Sequence, residues 1–122
     1  MKQVHPRQTI FTALSVSLFL LFSINFSFAQ EGDAAAGKAL FNSQCAACHR
    51  LDKRLVGPPL KGVSDKYEKE WLQKWIRNSA ELIQSGDPRA IAIWEEYNKV
   101  PMTAFPLLTD ADIDNLLAYI DA

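Results

Sequence analysis

Cys45-Ala46-Ala47-Cys48-His49 is the stretch on which the reading of this chain turns. It holds the only two cysteines of the 122 residues and one of the two histidines. The C-x-x-C-H spacing is that of covalent haem attachment. Each thiol adds across one vinyl group of the haem to form a thioether. The vinyls sit on neighbouring pyrrole rings, so one short helical turn presents both sulfurs to the same edge. The histidine that follows is then carried under the iron and binds it through an imidazole nitrogen. Its remaining ring N–H needs an acceptor to fix its orientation.

Other chemistries for two cysteines fare worse. A disulfide or a redox dithiol is open to an exported protein, but a thioredoxin-like site needs a βαβ setting, and no alternating strand pattern surrounds this one. A structural zinc site wants four ligands. Cys45, Cys48 and His49 give three, so a carboxylate or another chain would have to supply the fourth.

Upstream, Lys2 and Arg7 precede an apolar run from Ile10 to Phe28, and Ser27-Phe28-Ala29 is a small-x-small cleavage pattern. The reading is an export signal at residues 1–29 and a domain at 30–122. An uncleaved anchor is the alternative, since a span needs about 20 apolar residues, although Thr12, Ser15, Ser17, Ser23, Asn25 and Ser27 interrupt the run. Either way the domain is placed outside the cytoplasm, in a periplasm or its equivalent, and touches a membrane only if the segment stays on. Cleavage leaves 93 residues, a small core that a bound prosthetic group would help to stabilise. It also removes two basic residues and no acidic one, leaving 11 Lys and Arg against 14 Asp and Glu, a net charge of −3. Nucleic acid is not an expected partner, because that calls for a clustered basic face.

Low-spin electron-transfer haems take a second axial ligand from histidine or methionine. With His5 and Met1 gone in the signal, no second histidine is left and Met102 is the one methionine. It lies in Lys99-Val100-Pro101-Met102-Thr103-Ala104-Phe105-Pro106, where the prolines oppose regular helix and stiffen the loop. A lone methionine is more often a gap-filler in a core. Here its uniqueness, its loop and the upstream motif point to ligation.

Four helices and no strand are expected. The first spans about Asp33 to Gln44, with small or apolar faces and a Gly37 that costs about 1 kcal/mol relative to alanine unless another helix approaches there. The last, about Asp110 to Ile120, opens on a Thr109/Asp112 capping box and carries Ile113, Leu116, Leu117 and Ile120 as one stripe. These two are the expected crossing pair, with Phe41 and Tyr119 filling the contact. A helix from Ser64 or Asp65 to about Asn78 would bury Trp71, Leu72, Trp75 and Ile76. Asp87-Pro88 would cap another, running to about Tyr97. Trp71, Trp75 and Trp94 read as walls around an apolar ring, one of them with an indole N–H within reach of a haem propionate.

In that order these residues resemble class I cytochrome c over essentially the whole domain. Gly37 to Phe41 is similar to the family's first helix, and Gly57-Pro58-Pro59-Leu60-Lys61-Gly62 to the loop after its haem motif. The resemblance implies an all-α fold of about four helices around one covalent haem c and its iron. It makes Met102 the distal ligand and gives the Pro58 carbonyl to the free N–H of His49. The negative charge departs from lysine-ringed relatives, so their partners are not carried over. The resulting expectation is a one-electron carrier, not an enzyme, that exchanges electrons with redox proteins as a monomer or as a subunit of a complex. Two alternatives remain. One is an electron-transfer subunit of a larger membrane or periplasmic oxidoreductase. The other is a haem enzyme or gas sensor with an open sixth position, for which Glu95 and Glu96, adjacent on a helix, make a poor acid–base pair.

Overall fold

The computed structural model describes residues 32–122, so the expected signal at 1–29 and the domain's start at residue 30 lie outside the described part. Within it the elements are helical: α1 (Ala34–Leu40) running into a π-helical turn (Phe41–Cys45), then α2 (Val63–Lys66), α3 (Lys69–Gln84), α4 (Pro88–Glu96) and α5 (Asp110–Ile120). No strand occurs among the described residues. No helix among them is long and apolar enough to cross a membrane.

Two caps set the ends of the crossing pair. Asp33 begins α1 by accepting from the amides of Ala35 (2.8 Å) and Ala36 (3.3 Å). Thr109 begins α5 with the reciprocal pair expected of a capping box: its Oγ1 accepts the Asp112 amide at 3.2 Å, and Asp112 Oδ2 accepts the Thr109 amide at 2.9 Å. The amide of Asp33 also donates to Asn115 Oδ1 at 2.7 Å, which ties the start of α1 directly to α5.

Gly37 is where the two helices meet. A Cβ there would lie 1.8 Å from the Asn115 carbonyl oxygen and 2.5 Å from its carbon, so only glycine allows this approach. Phe41 packs next to the crossing, its ring centroid 5.4 Å from that of Tyr119 at a 55° tilt. Ile113 and Leu116 are fully buried on the inner face of α5.

The third expected helix differs from the sequence reading at both ends. It is split into α2 and α3 by Tyr67 and Glu68, whose backbones are extended. No breaker residue stands there. The break serves packing: Tyr67 lies against the core beside Val63, its ring stacked on Trp71 at 4.6 Å. At the other end the helix does leave helical geometry at Asn78 (φ −160°, ψ 81°), but it resumes and continues to Gln84. Leu82 and Ile83 are packed against the core in that added stretch.

α4 matches its expected signals. Asp87 accepts from the amides of Arg89 and Ala90, both at 3.0 Å, and Pro88 sits in the first turn. Past Glu96 the chain reverses through Asn98 (φ 58°) and Lys99 (φ 59°), two successive left-handed residues without a glycine. The core is centred on Trp71, Leu72, Ala90, Ile113 and Leu117.

Candidate functional site

The motif's geometry begins with the π-helical turn. Its wider winding ends α1 with Ala46 N–H donating to the Phe41 carbonyl at 2.9 Å, a five-residue step. The chain then tightens, and the amides of Cys48 (3.1 Å) and His49 (2.9 Å) both reach the Cys45 carbonyl. Arg50 closes this turn with its guanidinium, which donates to the carbonyls of Ala46 and of His49, the latter at 2.8 Å. Sequence reasoning passed over Arg50. The usable signal was a basic residue just past a helical turn with free carbonyls.

Cys45 is half-buried, Cys48 is exposed, and both are free thiols. Burial pushes the Cys45 thiol above its ordinary value. The carbonyl that the His49 ring was expected to meet stands beside it. The ring Nδ1 lies 3.0 Å from the Pro58 carbonyl oxygen. A carbonyl only accepts, so Nδ1 is the nitrogen that donates here, which leaves Nε2 as the one that can face a metal. Gly57 leaves room for the ring: a Cβ there would come within 2.4 Å of His49 Cε1 and 2.8 Å of Nδ1. The Gly57 amide donates to the Cys48 carbonyl at 2.9 Å, holding the Pro58 loop against the motif.

These residues open onto an apolar cavity of two adjoining lobes that share wall residues, about 820 and 1290 Å³ with the solvent space at their mouths included. Cys45, His49, Pro58, Trp75 and Met102 stand in the wall of both. The structure therefore brings the five sequence-derived site residues together, since Cys48 lines the smaller lobe beside them. Of the three indoles, that of Trp71 donates to Asp87 Oδ2 at 3.1 Å and is thereby committed to joining α3 to α4. All three also wall the cavity as expected: Trp71 lines the larger lobe, Trp94 the smaller and Trp75 both, with Ile93 in both and Phe105 in the smaller. Glu95 and Glu96 are both exposed.

The donor set fits a covalently held haem. Two unpaired thiols, an imidazole with its outer nitrogen anchored, and a thioether share one apolar cavity large enough for a prosthetic group. Zinc fits less well. Among the described residues no three His, Cys, Asp or Glu side chains converge as ligands for an ion.

A second feature that sequence reasoning missed is Arg54. Its guanidinium lies 4.1 Å from the centroid of the Tyr97 ring and donates to the Glu96 carbonyl at 3.0 Å, clamping the loop after the motif onto the end of α4. Only the three-dimensional approach of the two segments reveals it.

Comparison with known proteins agrees with this geometry. The family model for cytochrome c matches residues 34–122. Cytochrome c-554(547) of Halothiobacillus neapolitanus is 33% identical over 96 residues, which cover 73% of this chain and 94% of the relative. Cytochrome c6 of Rippkaea orientalis is 36% identical over 95 residues, covering 75% and 72% respectively. Among solved structures, a cytochrome c from Rhodothermus marinus superposes with a TM-score of 0.64 at 32% identity, over 71% of this chain and 72% of that one.

Proposed function

The chain belongs to the cytochrome c family, whose members carry electrons on one covalently bound haem c, and from that premise we propose an exported one-electron carrier with His49 and Met102 as axial ligands. Bound haem supplies a single Fe(III)/Fe(II) couple. Cys45 and Cys48 tether it through thioethers, so it stays bound while its charge changes. His49 offers Nε2, and the Pro58 carbonyl holds Nδ1–H and with it the plane of the ring. Met102 offers a soft thioether, which favours the ferrous state and raises the potential relative to a second imidazole. The apolar wall around Trp75 and Trp94 acts in the same direction, because the oxidised state carries more positive charge. None of these groups has to move for an electron to pass.

The observation that carries the reading is the 3.0 Å contact from His49 Nδ1 to the Pro58 carbonyl, made beside both thiols and Met102 in one cavity. A closed sixth position separates a carrier from an enzyme or a sensor. The test is a redox titration of the haem-loaded protein together with exposure of its ferrous form to carbon monoxide. A carrier gives a reversible one-electron curve and binds the gas little. Rapid, tight binding of carbon monoxide by the wild type would favour an open-site sensor or enzyme.

The partners on this reading are redox proteins that exchange electrons with the haem. Export through residues 1–29 fits the motif, since disulfide-permissive compartments outside the cytoplasm are where the signal would deliver it. An intact mass beginning at Gln30 supports cleavage after Ala29. A mass that includes residue 1 would indicate an anchored form.

A further inference from the structure

α3 contains an interruption that neither proline nor glycine explains, and such breaks need an identifiable cause. In an unbroken helix the amide of Glu81 would donate to the carbonyl of Arg77, four residues earlier. Asn78 prevents this. With its backbone out of helical geometry, its own Oδ1 accepts the Glu81 amide at 3.3 Å, acting as a cap inside the helix. The Arg77 carbonyl, relieved of that partner, accepts the amide of Phe105 at 2.9 Å.

Phe105 belongs to the loop that carries Met102, and this loop has few bonds of its own. Pro101 and Pro106 have no amide to donate. Leu108 N–H donates to the Phe105 carbonyl at 3.2 Å, within the loop. The Arg77 side chain extends the same grip: Nε donates to the Leu108 carbonyl at 2.8 Å, and the guanidinium pairs with Asp110 at the head of α5. Phe105 and Ser79, the residue after the break, both line the smaller lobe of the cavity with Met102. Ser79 is buried.

We propose that Asn78 is a positioning residue for Met102: by breaking α3 and capping Glu81 itself, it releases the Arg77 carbonyl to hold Phe105 and so fixes the methionine loop over the cavity. The inference rests on Met102 being the axial ligand. It assigns the break a purpose that a simple bend in a helix would not have.

The test compares the haem-loaded wild type with Asn78→Ala and Asn78→Ser. Alanine removes the cap and favours continuous helix, so the Glu81 amide takes back the Arg77 carbonyl and Phe105 loses its acceptor. In Asn78→Ala the Phe105 amide then exchanges with solvent about five- to tenfold faster, the scale of one lost hydrogen bond. Added imidazole displaces Met102 with an affinity higher by a similar factor, and the far-red iron–sulfur absorption weakens. Serine keeps a capping oxygen and restores all three towards wild type. A merely structural Asn78 would lower the melting temperature in Asn78→Ala and leave these three readouts unchanged, which overturns the proposal. Should Asn78→Ala not accumulate, amide exchange in the wild type decides: a Phe105 amide exchanging as fast as that of Thr103 also overturns it. A wild type with no far-red band, and no change in Met102→Ala, overturns the ligand reading and this inference together. A normal band with a silent Asn78→Ala overturns this inference alone.

Discussion

Replacing Gly37 with alanine adds one methyl group at the crossing of α1 and α5, and the structure sets the size of the effect. The new Cβ would stand 1.8 Å from the Asn115 carbonyl oxygen, 2.5 Å from its carbon and 3.0 Å from the Leu116 nitrogen. A relaxed carbon–oxygen contact is about 3.3 Å, so the helices must part by roughly 1.5 Å. All three obstacles are main-chain atoms, and no side chain can swing aside to make room. Gaps of about 0.5–1 Å already forfeit a quarter to a half of a dispersion contact, and Phe41, Leu116 and Ile120 are all buried at this end of the molecule. Overpacking costs about 1–3 kcal/mol, and the main-chain obstruction puts this case at the top, about 3 kcal/mol. Alanine's better helix propensity returns about 1 kcal/mol. The net loss of about 2 kcal/mol lowers the melting temperature by about 8–16 °C for a domain of this size. Thermal unfolding of the haem-loaded protein, followed by far-ultraviolet circular dichroism, measures it. A Gly37→Ala variant as stable as wild type, or more stable, would refute the claim that glycine is required for the close approach.

Further outcomes follow from single contacts. Gly57→Ala places a Cβ within 2.4 Å of His49 Cε1, so the imidazole is displaced from the Pro58 carbonyl; proton NMR should show the His49 Nδ1–H resonance lost or shifted while both thioethers still form. Thr109→Ala removes the capping box of α5 and lowers the melting temperature by about 4–8 °C, the effect of one N-cap. Hydrogen bonds from the Thr109 hydroxyl and amide hold the Asp112 carboxyl below its usual range, and the Ala90 amide, the Trp71 indole and the Arg89 amide do the same for Asp87. Depressed carboxyls stabilise the fold at and above their unfolded values near pH 4 and lose that contribution as pH falls through the lower folded values. Urea midpoints measured from pH 5 downward should therefore decline in wild type and decline less steeply in Thr109→Ala. Trp71→Phe frees Asp87 from its indole partner and lowers stability while leaving the reduction potential near wild type, because the indole N–H is spent on Asp87 and a phenyl ring keeps the wall of the larger lobe apolar; a large shift in potential would contradict that assignment.

Much of the site was legible because its signals are local. The Cys45 to His49 spacing is that of a haem-attachment motif within one turn, and Met102 is the one methionine among residues 32–122, the thioether on which the proposed ligation rests. Thr109 with Asp112, and Asp87 with Pro88, announce helix starts through contacts within three residues. Gly37 was legible for a different reason: a residue unfavourable in a helix demands a compensating approach, and α5 provides it. What escaped the sequence depends on segments meeting in space. Nothing near Tyr67 forbids a continuous helix; packing of its ring on Trp71 divides α2 from α3. Asn78 read as a helix end; beyond it α3 resumes with the Asn78 side chain capping the Glu81 amide, while the Arg77 carbonyl accepts the Phe105 amide. Arg50 and Arg54 bind carbonyls whose availability only the folded chain reveals. The π-helical turn likewise leaves no signature in Phe41 to Cys45 that distinguishes it from ordinary helix.

The central claim is that one covalent haem is held between His49 and Met102. Its most direct test is to export the chain with a haem-attachment system and record ferric and ferrous absorption spectra of wild type and Met102→Ala. Covalent low-spin haem, with a far-red iron–sulfur band in wild type that Met102→Ala lacks, is the expected result. A high-spin wild type whose spectrum does not change when Met102 is lost would contradict the ligand pair, and a chain that takes up no covalent haem would contradict the assignment of Cys45 and Cys48 as well.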